Sequence, residues 1–156
     1  MYKRLFFFER GTKAVFYGDS FVTIDTKGRT AIPAKFREEL GDKFFLMRGF
    51  DLCVSVYPAE RFEKLAQSFK EMQTSDEAYR ILSRRILGSV QEVECDAQGR
   101  LSISQPLREF AGFKKEIHVL GTGDHIELWD KDEYDRYYNR YCTGEAFAEA
   151  SKSLDF

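Results

Sequence analysis

What this 156-residue chain has little of narrows its chemistry first. It has three cysteines, Cys53, Cys95 and Cys142, at unrelated spacings. An odd count with no CxxC pair builds neither a disulfide framework nor a thiolate metal site. Its two histidines, His118 and His125, have no partners at ligand spacing, so no metal site is expected. No phosphate-cradling loop or nucleophile elbow occurs. Cys95 falls inside a strand, where a buried, inert thiol is the default. No catalytic residue and no cofactor are therefore assigned. No stretch approaches the ~20 apolar residues of a membrane span. The segment Leu5-Phe6-Phe7-Phe8 is too short an apolar run for a signal peptide before Glu9-Arg10. The chain reads as cytoplasmic and reduced, with neither a membrane nor a small-molecule substrate as partner.

Charge of one sign is also scarce, since the net charge is −2. That total argues weakly against nucleic acid, but the distribution does not. Residues 1–48 hold ten Lys/Arg against six Asp/Glu, and residues 130–156 hold four against seven. A near-neutral total can hide a basic face. The 15 Phe and eight Tyr are more aromatic surface than one small core absorbs, which points to subunit contacts.

What the chain does have, it has twice. Asp25-Thr26-Lys27-Gly28-Arg29 returns 71 positions later as Asp96-Ala97-Gln98-Gly99-Arg100. The residues after each turn repeat as well, through Phe36-Arg37 and Leu107-Arg108. After a one-residue slip, Gly49 to Tyr57 answers to Gly121 to Trp129. A period of this length is a duplication, not a solenoid. In each copy the Asp can accept bonds from the backbone ahead of it, and the Gly can turn left-handed. With alternating apolar residues on both sides, this predicts a hairpin with a loop of three to five residues. Arg29 and Arg100 then project near equivalent tips. Either each Arg pairs with its Asp and locks the turn, or it faces a ligand. Both can hold, if the Asp sets the direction of the Arg and leaves its outer face free.

In chain order, residues 1–15 are a basic, aromatic arm, either an added edge strand or an ordered extension. Phe16 to Ile24 and Arg29 to Ile32 form the first hairpin, and Pro33 starts a short helix, Ala34 to Leu40, which Gly41 ends. Phe44 to Arg48 and Leu52 to Tyr57 are two more strands. Pro58 opens a helix with Phe62, Leu65, Ala66, Phe69 and Met72 on one face, a core or subunit stripe. Thr74 or Ser75 caps another helix, whose Arg80, Arg84 and Arg85 read better as a solvated face than as phosphate contacts. The second copy gives Val90 to Cys95, Arg100 to Ile103, a helix Pro106 to Phe110, and strands Ile117 to Leu120 and Ile126 to Trp129. Asp130 caps a last helix bearing Tyr134, Tyr137, Tyr138 and Tyr141, which Gly144 stops, and the end reads as loose. The tyrosines read as packing residues sooner than base-stacking ones. The fold class is α+β, with about four strands per copy. These are too few to close a barrel alone, so two interleaved copies share one core. The expected division is 16–72 and 88–143 for the two halves and 73–87 for the connecting helix. An arm 1–15 and a tail 144–156 complete it.

These motifs resemble the MraZ family of bacterial transcriptional regulators, within the AbrB/SpoVT swapped-hairpin superfamily. The resemblance rests on the two DxxGR turns, on Ile32-Pro33, Phe36-Arg37 and Leu107-Arg108, and on Glu94-Cys95 and Ile126-Glu127-Leu128-Trp129. It covers about Gly18 to Tyr138. Ser104 stands where the family has Pro, and the arm through Phe16 is longer than usual. The resemblance implies tandem AbrB-like swapped-hairpin halves, forming an intramolecular pseudo-dimer β-barrel with flanking helices. It also implies a ring-shaped, octamer-like homo-oligomer and a nucleoid association. The target it implies is double-stranded DNA carrying tandem repeats in the promoter of the division and cell wall genes. The DNA-contacting residues are then Arg29 and Arg100, helped by Lys27 and Gln98, with Asp25, Gly28, Asp96 and Gly99 shaping the turns. The rival classes are an enzyme, which has no motif, and a structural ring, which leaves the doubled Arg tips unexplained.

Overall fold

Prolines and glycines cut the chain close to where the sequence predicts. A computed structural model describes residues 15–156, so all of the arm but its last residue lies outside the described part. The first half contains β1 (Phe16–Thr23), β2 (Arg29–Ala31), α1 (Ala34–Leu40), β3 (Lys43–Arg48), β4 (Val54–Pro58) and α2 (Ala59–Lys70). Then come α3 (Glu77–Arg85) and a 3-10 turn, Leu87–Ser89. The second half contains β5 (Gln91–Glu94), β6 (Arg100–Ser102), α4 (Gln105–Ala111), β7 (Glu116–Gly123), β8 (Ile126–Asp130) and α5 (Lys131–Tyr141).

Several strand and helix ends differ from expectation, β7 running on to Gly123 and β4 starting at Val54, and two differences change the reading. Asp76, not Thr74 or Ser75, occupies the cap position of α3, and its side chain makes no capping bond. Beyond α5 the chain is not loose, because α6 (Gly144–Ser151) follows. Asp130 does cap α5, accepting the Glu133 N–H at 3.3 Å.

The strands pair across the duplication. One antiparallel sheet has the order β1-β7-β8-β4-β3-β5, and β2 pairs with β6 in a separate two-stranded ribbon. The hairpins expected within each copy are therefore absent as ladders. β1 leaves its turn to pair with β7, from Phe16 opposite Gly123 to Thr23 opposite Glu116. β2 leaves the same turn in another direction, placing Thr30 opposite Leu101. Local alternation fixes that a segment is a strand and which face is apolar, but not which of two similar copies supplies its partner.

β3 shows how the core is divided. Its side chains alternate between faces. Phe44 and Leu46 enter a cluster shared by both halves, with Phe16, Phe36, Ile103 and Ile117. Phe45 and Met47 face the other way, towards Phe69 of α2 and Ile86. Phe45 stacks on Phe62 with ring centroids 4.1 Å apart. The apolar stripe of α2 thus packs against the chain, with Phe69 buried and Phe62, Leu65 and Met72 partly buried. In α5, Tyr134 and Tyr137 pack on Trp129, while Tyr138 and Tyr141 stay half exposed. Among the described residues, no helix is long and apolar enough to cross a membrane.

Candidate nucleic-acid interface

Each repeated turn is held by one carboxylate. Oδ1 of Asp25 accepts the backbone N–H groups of Lys27 and Arg29, both at 2.9 Å, and Oδ2 accepts Nε of Arg29 at 2.7 Å. Asp96 repeats this with Gln98, Arg100 and the Arg100 guanidinium at the same distances. The backbone closes identically, with Gly28 N–H donating to Asp25 O and Gly99 N–H to Asp96 O. These bonds hold both carboxyls below their ordinary value of 3.8, the backbone N–H of Arg29 or Arg100 acting most strongly and its guanidinium next. The Asp pairing and a free outer face of the Arg occur together. Nε locks the turn, while the side chains stay 62% and 69% exposed.

The glycines answer to conformation and to space. Gly28 and Gly99 have φ of 85° and 78°, where a side chain is strained. Each also meets an arginine from the other half. Arg108 donates Nε to Ile103 O at 2.9 Å and lies beside Gly28, and Arg37 donates Nε to Ile32 O at 2.8 Å and lies beside Gly99. Sequence reasoning gave Arg37 and Arg108 no role, although both belong to the repeat. Their repetition was the available signal.

The ribbon then brings the two tips together. Ile32 N–H donates to Gly99 O and Ile103 N–H to Gly28 O, extending β2–β6 to both turns. Arg29 lies opposite Ser102, and Arg100 opposite Ala31. By the period-two rule these four share one face, while Thr30 and Leu101 point to the other, where both are buried. Arg29 and Arg100 are thus diagonal neighbours, about 7–8 Å apart at the backbone. They line one open groove of about 1000 Å³ with Asp25, Asp96, Thr30 and Lys115. Lys27 and Gln98 stand exposed at the tips. An exposed two-stranded ribbon with two forked cations on its outer face has the dimensions of a major-groove reader.

The other candidates stay apart from this face. Cys53 is buried, which pushes its thiol far up. Cys95 lies just past β5, half-buried and also shifted up by burial. His118 bonds Asp19, and His125 lies between Asp124 and Glu127. Arg85 is not a solvated residue, since it donates to the carbonyls of Gly49 and Phe50.

A family model described as "MraZ protein, putative antitoxin-like" matches the chain twice, over residues 15–85 and 86–155. The chain belongs to the MraZ family. It is 39% identical over 141 residues to the transcriptional regulator MraZ of Acetivibrio thermocellus, covering 90% of this chain and 99% of that one. With the transcriptional regulator MraZ of Finegoldia magna it shares 36% over 125 residues, 80% of this chain and 87% of the relative. With that of a Thermoanaerobacter species it shares 39% over 133 residues, 85% and 92%. The two MraZ matches meet between Arg85 and Ile86, at the end of α3.

Proposed function

We propose that this chain is a sequence-specific DNA-binding transcriptional regulator that reads short promoter repeats through the β2–β6 ribbon. The observation that carries it is the convergence of Arg29 and Arg100 on one exposed face, each aimed by its own Asp. A guanidinium held at Nε still has its two terminal nitrogens, the fork that matches O6 and N7 of guanine. Lys27 and Gln98 add a phosphate contact and a polar contact at the tips. The family supports the same reading, since its relatives are named transcriptional regulators, and no enzymatic role is assigned. The exchange of strands between halves supports tandem swapped hairpins forming a pseudo-dimer barrel, with the halves at 16–72 and 88–143. The proposed target, from the family resemblance, is the promoter of the division and cell wall genes, and the proposed site of action is the nucleoid.

Fragments recovered from sheared genomic DNA provide the binding site for the test. Arg29→Ala and Arg100→Ala should each lose about 1–3 kcal/mol of specific binding. If neither variant, correctly folded, loses affinity, the assignment is wrong. Few phosphate contacts per chain give weak binding at physiological salt, so several chains in a ring would gain avidity on tandem repeats. In the stripe of α2, Phe69 is buried in the chain, while Phe62, Leu65 and Met72 are partly buried and keep some surface for that assembly. Light scattering should report a homo-oligomer, and affinity should rise from one repeat to several at fixed salt. A monomer, or equal affinity for both DNAs, sinks the ring. A purely structural ring would show no salt-dependent DNA binding.

A further inference from the structure

The two tips are built alike but charged differently. Beneath the first turn, Ile24 N–H donates to the carbonyl of Lys115 at 2.9 Å. Beneath the second, Cys95 N–H donates to the carbonyl of Asp42 at 3.2 Å. Ile24 and Cys95 occupy the same place in the repeat, so an exposed cation in one half stands where the other half has an exposed anion. The preceding residue differs in the same sense, Thr23 against Glu94, and both are exposed. The centre of the turn differs again, Lys27 against Gln98. Of the adjoining cations, Lys114 is tied to Asp130 and Lys43 to Glu92, so neither alters the contrast. Beyond the shared Asp–Arg pair and the matching Arg108 and Arg37 beside the two glycines, the first tip carries exposed Lys27 and Lys115, with Glu116 opposite Thr23. The second carries exposed Asp42 and Glu94, with Lys43 tied to Glu92.

Gln98 also does what Lys27 cannot. Its Oε1 accepts Nη2 of Arg100 at 3.3 Å, while Asp96 accepts Nε at 2.7 Å. The Arg100 guanidinium is therefore held at two nitrogens, whereas among the described residues the Arg29 guanidinium is held at Nε alone. A fork fixed at two points loses less freedom on meeting a base. A lysine ammonium is a donor only and cannot accept such a bond.

We infer that the two tips are unequal: beside its Arg29 base contact the Lys27 tip grips phosphate, whereas the Gln98 tip reads its base more strictly, with Gln98 as the positioning residue for Arg100. The DNA site is then asymmetric and bound in one orientation, despite the near two-fold arrangement of the turns. This rests on the DNA-binding reading above.

The test uses the full chain and its recovered DNA, with binding measured across a salt series and against singly substituted sites. Lys27→Gln should weaken binding about equally on all sequences and lower the salt slope by about one. Gln98→Ala should leave the salt slope unchanged and relax preference at one base position by at least roughly fivefold. Both residues are exposed, and unchanged thermal melting would show that each variant folds. Equal effects of the two variants, or a palindromic preferred site, overturn the division of labour and leave the DNA-binding reading standing. Absence of specific DNA binding by the unaltered chain overturns both.

Discussion

Gly28 is constrained twice over, and the two constraints can be measured apart. A methyl group added there would stand 2.6 Å from Nε of Arg108 and 2.7 Å from the Ile103 carbonyl oxygen. It would also have to accept a φ of 85°, a strain of about 1–3 kcal/mol. Gly112 also sits in the left-handed region, with φ of 67°, but an added methyl there meets only Glu133 Cγ at 4.0 Å. Gly28→Ala should therefore lower stability by clearly more than Gly112→Ala in denaturant unfolding. The excess measures the crowding by Arg108 and Ile103. Equal losses would mean that Arg108 moves aside at no cost and does not support the turn. The carboxylates beside the glycines set a second expectation. Asp25 and Asp96 are held below 3.8 in the folded chain, so their stabilisation is present above the ordinary carboxylate range. It is lost as pH falls through their lowered values. The amide resonances of Lys27, Arg29, Gln98 and Arg100 should accordingly hold steady down to that value and shift only below it. Asp25→Ala should loosen the turn and so reduce stability and DNA affinity together.

At the scale of elements, a half-buried charge network ties α2 to the β7–β8 turn. Arg61 of α2 pairs with Asp124, whose other oxygen meets Nδ1 of His125 at 2.7 Å. Nε2 of His125 lies 3.5 Å from Glu127, and the ring meets Tyr57 edge-on. Burial opposes charge on His125, but Glu127 and Asp124 outweigh it and raise the imidazole above its ordinary 6.5. Burial likewise opposes charge on Glu127 and Asp124, and His125 overcomes it, with Trp129 helping at Glu127 and Arg61 at Asp124. The histidine's contribution is thus complete below 6.5 and fades as pH rises through its raised value. The carboxylates' contribution fades as pH falls through their lowered values. Melting temperature should peak in mildly acidic buffer and fall towards pH 8, and His125→Gln should flatten the alkaline limb. An unchanged limb would show that the histidine is neutral throughout. The Arg61–Asp124 pair was not legible from spacing, because Arg61 is far along the chain from Asp124. The helices were legible, and α1 was read to the residue because Pro33 and Gly41 bracket it. The partners of β1 and β2 were not, because each strand's alternation fits either copy of the repeat equally well.

At the scale of the molecule, the exchange of strands decides what can fold. Six strand pairings are present among the described residues. Only β3–β4 and β7–β8 stay within a half, and the other four cross between halves. A chain of residues 15–85 alone would leave β1, β2 and one edge each of β3 and β4 unpaired, and would expose Phe16, Phe36 and Phe44, which belong to a core cluster shared with the second half. Burying such side chains is worth about 1.5–3 kcal/mol each, and a domain has only about 5–15 kcal/mol in total. That half should not exist as a folded monomer. The repeat offers it one escape, since β5 to β8 are the counterparts of β1 to β4. Two copies could restore every crossing pair, β1 with the other copy's β3, β2 with β2 and β4 with β4. The apolar Thr30–Leu101 contact would become a Thr30–Thr30 pair, which costs stability but does not prevent pairing. Residues 15–85 should therefore be unfolded when dilute and dimeric when concentrated, with melting that depends on concentration. The intact chain should unfold in one transition, because neither half retains a core when the other leaves. Sedimentation and circular dichroism of the half-chain over a dilution series check this directly, and a folded, concentration-independent monomer would show that the halves are separate domains.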